Sequence, residues 1–473
     1  MATRVIDTDV AFAGAARQAE MVRAGEVSPT ELVRLSLDRI ALLDPELNAF
    51  RKVLVERALL EAEQAEARLR SGEERPLLGV PIAIKDEVDV AGEVNMHGTD
   101  AYEKPAREDS EMVRRLREAG AIVVGLTRLP ELAICGFTES ASQGVTRNPW
   151  NVQRTPGGSS GGSGAAVAAG LVPIASAGDG GGSIRIPAAS NGLFGLKPSK
   201  GRISLAPELE GWGGLAVLGC LSRTVLDTAL WLDITAGDSR EPDAPPAPER
   251  PFVESARTPP GKLRVAWSTA PPRAAAPPTV SEDVKRAVAE AAELMLSLGH
   301  DVAQQDPDWD MIGNNIAPRF LRGVSDTVDA VEFPERLERR TRGFGGLGRR
   351  LPDAVYQRAL RGRAVDQARV NAIFEGHDVL ITPVMGGTAL PVRRWEGRGA
   401  IRTVLGMSRF YPYCVPWNHL GNPAMAVPFG FDSDGMPLAI QIIGRPGDEA
   451  TLLSLAGQIE AERPWAERRP PVS

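Results

Sequence analysis

Histidine and cysteine are scarce in this chain, and long apolar runs are missing. The four histidines form no HExxH pair and no Cys/His cluster, so the pattern points to no metal site. The three cysteines, Cys135, Cys220 and Cys414, are odd in number, far apart and never in CxxC pairs. That argues against a disulfide framework and predicts reduced thiols in a cytoplasmic protein. No run approaches the ~20 apolar residues of a membrane helix. The opening MATRVIDTDVAFAG lacks the apolar core of a signal peptide, so no membrane partner is expected. A basic excess is missing too: 54 Lys and Arg stand against 61 Asp and Glu, a net charge of −7, which argues against a nucleic-acid partner.

What remains is the alternating pattern of a large α/β protein. Residues 1–75 read as a helical layer. Within it Ser28-Pro29-Thr30-Glu31 forms a capping box with proline at the first helical position, and an amphipathic segment runs from Val53 to Arg70. Residues 76–240 begin with an apolar strand, Leu77 to Ile84, that ends in Lys85-Asp86-Glu87; a helix at Ser110–Ala119 and a strand at Ala121–Gly125 follow. Seven prolines mark 241–260 as a connection. The remainder, 261–473, resumes with a strand (Leu263–Trp267) and a helix (Glu282–Leu298), then a helical, arginine-rich lobe over about 306–375. Further strands follow at Val379–Pro383, Ala424–Pro428 and Leu438–Ile443, and Ala450–Ala461 is a last helix. The arginines of the lobe are read as a solvated face, and its GxGxxG match, Gly343 to Gly348, has no strand before it and is rejected as a dinucleotide site.

Glycine is concentrated in two serine-bearing loops, Gly157 to Gly164 and Gly178 to Ser183. Glycine at this density costs backbone entropy, so the loops need close approach or positive φ. Neither is followed by the Lys-Ser/Thr of a phosphate loop, and Ser183 stands where a dinucleotide fingerprint needs its third glycine. Gly157-Gly158-Ser159-Ser160-Gly161 satisfies GxSxG, but a nucleophile elbow needs a strand before the serine, and Asn151 to Pro156 is polar and ends in proline. The remaining reading takes both loops together, as a serine nucleophile beside exposed backbone N–H groups.

Gly79 to Asp86, Gly157 to Gly164 and Gly178 to Pro187 occur in that order, with 74 residues from Lys85 to Ser159 and 24 from Ser159 to Ser183. In these motifs and spacings the chain resembles the amidase signature family. The likeness extends to Asn148-Pro149-Trp150-Asn151, Gly195-Leu196-Lys197-Pro198, Thr382-Pro383 and Asn418 to Ala424. The resemblance implies an α/β fold with a mixed central sheet covered by helices on both faces and a helical inserted lobe. It implies Ser183 as nucleophile, Ser159 as bridging serine after a cis peptide bond, and Lys85 as base. The N–H groups of Gly180, Gly181, Gly182 and Ser183 would form the oxyanion hole. Asp179, Arg185 and Ser160 would hold the loops. Many relatives carry a bulkier residue where Gly180 stands, which implies a more flexible loop or extra room there.

The implied activity is hydrolysis of an amide C–N bond through an acyl-enzyme, with no metal or organic cofactor, by a monomer or homodimer acting on a small-molecule amide. The pocket implied by family position comprises Ile134, Gly136, Phe137, Tyr411, Tyr413 and Trp417, an apolar and aromatic set without arginine. Uncharged apolar or aryl amides are therefore the expected substrates, such as anilides or linear and cyclic amides of ω-amino acids, with aryl esters and carbamates (urethanes) as side substrates. Two alternatives remain: a glutaminyl-tRNA amidotransferase A subunit, disfavoured by Ile186 where such chains carry Gln, and a non-catalytic binding protein on the same fold, disfavoured by the intact Lys85, Ser159 and Ser183.

Overall fold

The computed structural model describes residues 8–208, 210–237, 239, 244–273 and 276–473. Its strands are β1 (Phe50–Val53), β2 (Pro81–Lys85), β3 (Ile122–Thr127), β4 (Glu139–Ser140), β5 (Gly144–Val145), β6 (Ile174–Asp179), β7 (Gly195–Lys197), β8 (Val217–Ser222), β9 (Arg264–Trp267), β10 (Asp301–Gln304), β11 (Val379–Pro383), β12 (Ala424–Phe431) and β13 (Pro437–Ile443). One sheet has the order β1-β3-β2-β6-β8 and the other β10-β9-β11-β13-β12-β7, while β4 and β5 form a separate hairpin. The two sheets meet where Phe194 and Ser222 exchange backbone hydrogen bonds of 3.0 and 3.2 Å. Pairing is mixed: β2 is parallel to both β3 and β6, whereas β8 is antiparallel to β6 and β13 is antiparallel to β11 and β12.

Strands β2, β3, β6, β11 and β13 are buried along their whole length, as expected of strands covered on both faces. Side chains alternate across the sheet. Ala83, Ile122, Val124, Ala175 and Ala177 therefore join one core, whereas Ile82, Ile84, Val123, Leu126 and Ile174 join another on the opposite face. The first core is covered by helices Pro29–Leu47, Val55–Arg70 and Gly161–Ala168, and the second by Glu111–Glu118, Val225–Thr235, Glu282–Ser297 and Glu449–Glu462. Ser28 and Glu31 make the reciprocal capping box, with bonds of 3.2 and 2.8 Å.

The lobe consists of helices Gly313–Asp329, Arg339–Arg349 and Asp353–Asn371, followed by the short Ile373–Gly376. The GxGxxG match lies inside Arg339–Arg349, where its glycines serve helix packing. A Cβ at Gly345 would come 2.9 Å from Val328, and one at Gly348 would come 2.1 Å from the Leu321 carbonyl. Several lobe arginines are paired: Arg336 with Glu103, Arg340 with Glu338, and Arg349 with Asp329. Part of the Pro-rich connection, residues 241–243, lies outside the described residues. The rest holds a helix, Phe252–Arg257, whose first two N–H groups are accepted by Asp233 at 2.7 and 2.9 Å.

Candidate active site

Lys85 ends β2, and its side chain is fully buried. Its backbone N–H donates to Ser176 Oγ on β6 (2.7 Å), which fixes the end of the strand. Its Nζ donates to Ser159 Oγ (2.8 Å) and lies 2.8 Å from Glu87 Oε1. Burial pulls the Lys85 pKa below its ordinary value, although the carboxylates of Glu87 and Asp179 push back. A neutral amine, able to accept a proton, is thereby favoured.

Ser159 follows a cis peptide bond from Gly158. A Cβ at Gly158 would fall 2.5 Å from the Phe137 nitrogen and 2.7 Å from the Cys135 carbonyl, so this loop lies directly on the backbone of the neighbouring segment. Helix Gly161–Ala168 then packs equally closely, because a Cβ at Gly162 would come within 2.5–2.6 Å of Ala49 O, Arg128 N and Arg128 O. Ser160 stands at the N-cap position without capping through its side chain; its hydroxyl instead donates to the Gly178 carbonyl (3.3 Å) and its N–H to the Ser183 carbonyl (3.3 Å). The two glycine-rich loops are thus tied together. Ser159 is buried, whereas Ser183, Gly180 and Gly181 are only partly so.

Asp179, at the end of β6, organises the second loop. Its Oδ1 accepts from Gly182 N (2.6 Å), Arg185 Nη2 (2.9 Å) and Asn418 Nδ2 (2.9 Å); its Oδ2 accepts from Ile184 N (3.1 Å) and Arg185 Nε (3.0 Å). Arg185 also donates to Cys414 O, Gln441 Oε1 and Asn418 Oδ1. Burial alone would raise the Asp179 pKa, but the Arg185 guanidinium outweighs it and holds the carboxyl well below the usual range.

This arrangement corrects the expected oxyanion hole. The Gly182 N–H is already committed to Asp179, and a Cβ on Gly182, at φ 123°, would come 2.6 Å from Cys414 Cβ. Gly182 therefore shapes the loop and has no free donor. Among the described residues, no hydrogen-bond acceptor meets the N–H of Gly180, Gly181 or Ser183.

Two chambers meet at Ser183. One, of about 280 Å³, is lined by Glu87, Asp89, His97, Ser159, Gly180 and Trp212 among others. The other, of about 180 Å³, is predominantly apolar and includes Ile134, Gly136, Ile186, Phe320, Met407 and Tyr411. Larger hollows, such as one of about 560 Å³ between Glu139, Arg340 and Arg393, touch none of Lys85, Ser159 and Ser183.

Of the six expected pocket residues, Ile134, Gly136 and Tyr411 line the apolar chamber. Phe137, Tyr413 and Trp417 line neither chamber and are corrected to core positions. Phe137 stacks on Trp395 at 4.7 Å, beneath the Arg340 guanidinium. The Tyr413 hydroxyl donates to the Thr269 carbonyl (2.6 Å), and Trp417 packs edge-on against Trp309 at 5.4 Å. Tyr411 and Val415 line the chamber together with Val404, Met407 and Ser408, whereas Tyr413 and Trp417 do not. Sequence reasoning missed Trp212, Phe320 and Met407 as lining residues. Gly211-Trp212-Gly213-Gly214, an aromatic residue set among glycines, was an available signal for the first of these. Glu87, two residues past Lys85, meets the amine inside the site.

A family model described as Amidase matches residues 31–453. A Mycobacterium tuberculosis protein named "Putative amidase AmiB2" is 49% identical over 467 residues, covering 98% of this chain and 99% of the relative. The 6-aminohexanoate-cyclic-dimer hydrolase of Paenarthrobacter ureafaciens is 36% identical over 499 residues, covering 96% of each. The solved structure of a 6-aminohexanoate cyclic dimer hydrolase complexed with substrate superposes with a TM-score of 0.88 at 30% identity, covering 98% of this chain and 99% of that one. Among the described residues, no helix is long and apolar enough to cross a membrane. Matched along nearly its whole length, the chain belongs to the amidase signature family and is a hydrolase of amide C–N bonds.

Proposed function

We propose that Ser183 attacks the carbonyl carbon of an uncharged amide, with Ser159 relaying its proton to Lys85. The observation that carries this reading is the 2.8 Å hydrogen bond from a fully buried Lys85 Nζ to Ser159 Oγ, beside a partly open Ser183 on the same chamber. A hydroxyl becomes a strong nucleophile only when a base takes its proton, and lysine serves only when neutral. The N–H groups of Gly180, Gly181 and Ser183 supply the oxyanion donors, since Gly182 is committed elsewhere. Collapse of the tetrahedral intermediate leaves an acyl group on Ser183 Oγ and returns the proton to the leaving amine; water then completes hydrolysis.

The apolar chamber supports an acyl or amine group without charge, of aliphatic or aryl character. A cyclic or linear amide of an ω-amino acid fits this class, in line with the relative that acts on a cyclic dimer. Aryl esters and carbamates pass through the same intermediate and are side substrates. Ile186 presents its side chain to this chamber, which disfavours free glutamine.

The test is turnover of a neutral aryl amide by Ser183→Ala, Ser159→Ala and Lys85→Ala, with intact-mass detection of an acyl adduct. Ser183→Ala is expected to lose both turnover and adduct. The other two are expected to lose several orders of magnitude, since groups acting as one unit are not additive. Substantial activity in Ser183→Ala alongside an inactive Ser159→Ala would reverse the assignment.

A further inference from the structure

Glu87 stands two residues past Lys85, on the turn that leaves β2, and its carboxylate folds back to lie 2.8 Å from the lysine amine. Strand β6 makes room for it. A Cβ at Gly178 would come 2.1 Å from Glu87 Oε1, so the carboxylate occupies the space of the missing side chain. The neighbouring acid is turned elsewhere, as Asp86 pairs with Arg51 at 2.6 Å. The Lys85 side chain is wholly buried, whereas that of Glu87 is 17% exposed and lines the chamber with Ser159 and Ser183. Glu87 therefore stands between a sealed amine and the reaction space.

Among the described residues, four other titratable groups line this chamber, Asp179, His97, Asp89 and Glu208. Asp179, from the end of β6, is engaged by Arg185. His97 lines the same chamber, and burial lowers its pKa, so it faces the pair as a neutral ring. Asp89 lies on the chamber wall and accepts from Asn95 at 3.1 Å.

We propose that Glu87 is a positioning residue for the base, the counter-ion of the ammonium that Lys85 becomes during acylation. The inference rests on the reading of Lys85, Ser159 and Ser183 given above. As the Ser183 Oγ–C bond forms, the Ser183 proton passes to Ser159 Oγ, and the Ser159 proton passes to Lys85 Nζ. The new ammonium donates to Ser159 and Glu87, and the sequence runs backward when the leaving amine takes the proton. A carboxylate plays the same part behind the histidine of Ser–His–Asp triads, where it holds the base in orientation and stabilises the cation that forms.

This role affects two readouts in different ways. An anion at 2.8 Å favours the protonated lysine of the resting enzyme, so it pushes the acid limb of kcat/KM to higher pH. The same anion stabilises the ammonium in the transition state, so it raises the plateau.

The experiment compares pH profiles of kcat and kcat/KM for the full-length wild type, Glu87→Gln and Glu87→Asp on one neutral aryl amide, with thermal melts alongside. Glu87→Gln is expected to move the acid limb down by about one pH unit or more. Its plateau kcat is expected to fall about ten- to a hundredfold, the loss typical of one charge-assisted hydrogen bond, with little change in KM. Glu87→Asp, which withdraws the carboxylate by one methylene, is expected to shift both readouts part of the way, and it carries the test if the glutamine variant does not fold. A well-folded variant with an unmoved limb overturns the proposal. So does a raised KM at unchanged kcat, which would make Glu87 a substrate-binding group. Failure of the underlying triad reading is distinguishable, because Lys85→Ala would then stay active.

Discussion

Replacing Asp179 by Asn tests what holds the second glycine-rich loop, which carries Ser183. In the native site five donors converge on the Asp179 carboxylate, two of them from the Arg185 guanidinium and two from the backbone at Gly182 and Ile184. An amide of the same shape presents one acceptor oxygen and one NH2 group, so at least two of these donors face another donor. The guanidinium also loses its counter-charge while fully buried. Removing one member of a buried ion pair costs about 3–5 kcal/mol. At ~2.1 cal/mol/K per residue, unfolding 473 residues together carries an entropy of about 1 kcal/mol/K, so the melting temperature should drop by about 3–5 °C. Turnover should fall about a hundredfold, because the loop that carries the proposed oxyanion donors loses its anchor. The pH sign follows from the depressed Asp179 pKa. A carboxyl held below its unfolded value of about 3.9 contributes stability above that pH and loses it as pH falls through the folded value. The melting gap between wild type and variant should therefore stay constant from about pH 5 to 8 and close only in stronger acid. Scanning calorimetry across that range is the assay. A gap under about 1 °C, or one that closes between pH 5 and 7, would refute the reasoning.

Glycine positions in the two loops should respond differently. Gly162→Ala drives a Cβ into three backbone atoms at 2.5–2.6 Å and is expected to lower the melting temperature sharply or abolish soluble protein, whereas Gly181→Ala meets only Val415 at 3.7 Å and should melt like wild type. Equal melting of the two would show that helix Gly161–Ala168 is not packed as described. Trp212 lines both chambers, so Trp212→Ala should join them and raise kcat/KM for a bulky acyl anilide relative to a small one by about tenfold. An unchanged ratio would remove Trp212 from the substrate wall.

The fold and the candidate site are legible in the sequence to different depths, for physical reasons. Strands β2, β3, β11 and β13 announced themselves as short apolar runs because they are buried on both faces. β1 and β7, of four and three residues, are too short to show a period, and β1 was absorbed into the helix that follows it. The Ser28–Glu31 capping box was readable because both partners lie within one turn. Lys85, Ser159 and Ser183 stand out in the sequence through three ordered motifs, and the folded chain puts Lys85 in contact with Ser159 and places Ser183 on the same chamber. The commitment of the Gly182 N–H does not stand out, because it is claimed by a carboxylate three residues away, and that depends on how the loop folds back.

The pocket shows most clearly where one-dimensional reasoning stops. Gly180 was read as room, since a small residue stands where relatives carry a larger one. In the folded chain that room is partly filled from elsewhere: a Cβ at Gly180 would lie 3.1 Å from the Trp212 ring, so the indole comes up against this glycine. The ring is held from behind by Phe320, edge-on at 5.4 Å, and by Gly323, where a Cβ would come 2.8 Å from the Trp212 backbone. Both belong to helix Gly313–Asp329 of the lobe. The lobe, read from its arginines as a solvated surface, thus sets part of the shape of the substrate space through its apolar face. A missing side chain in a loop that lines a cleft therefore specifies a wider cleft only if no other element occupies the gap. Here three segments far apart in sequence share that decision, and selectivity should respond to the lobe helix as strongly as to the loop.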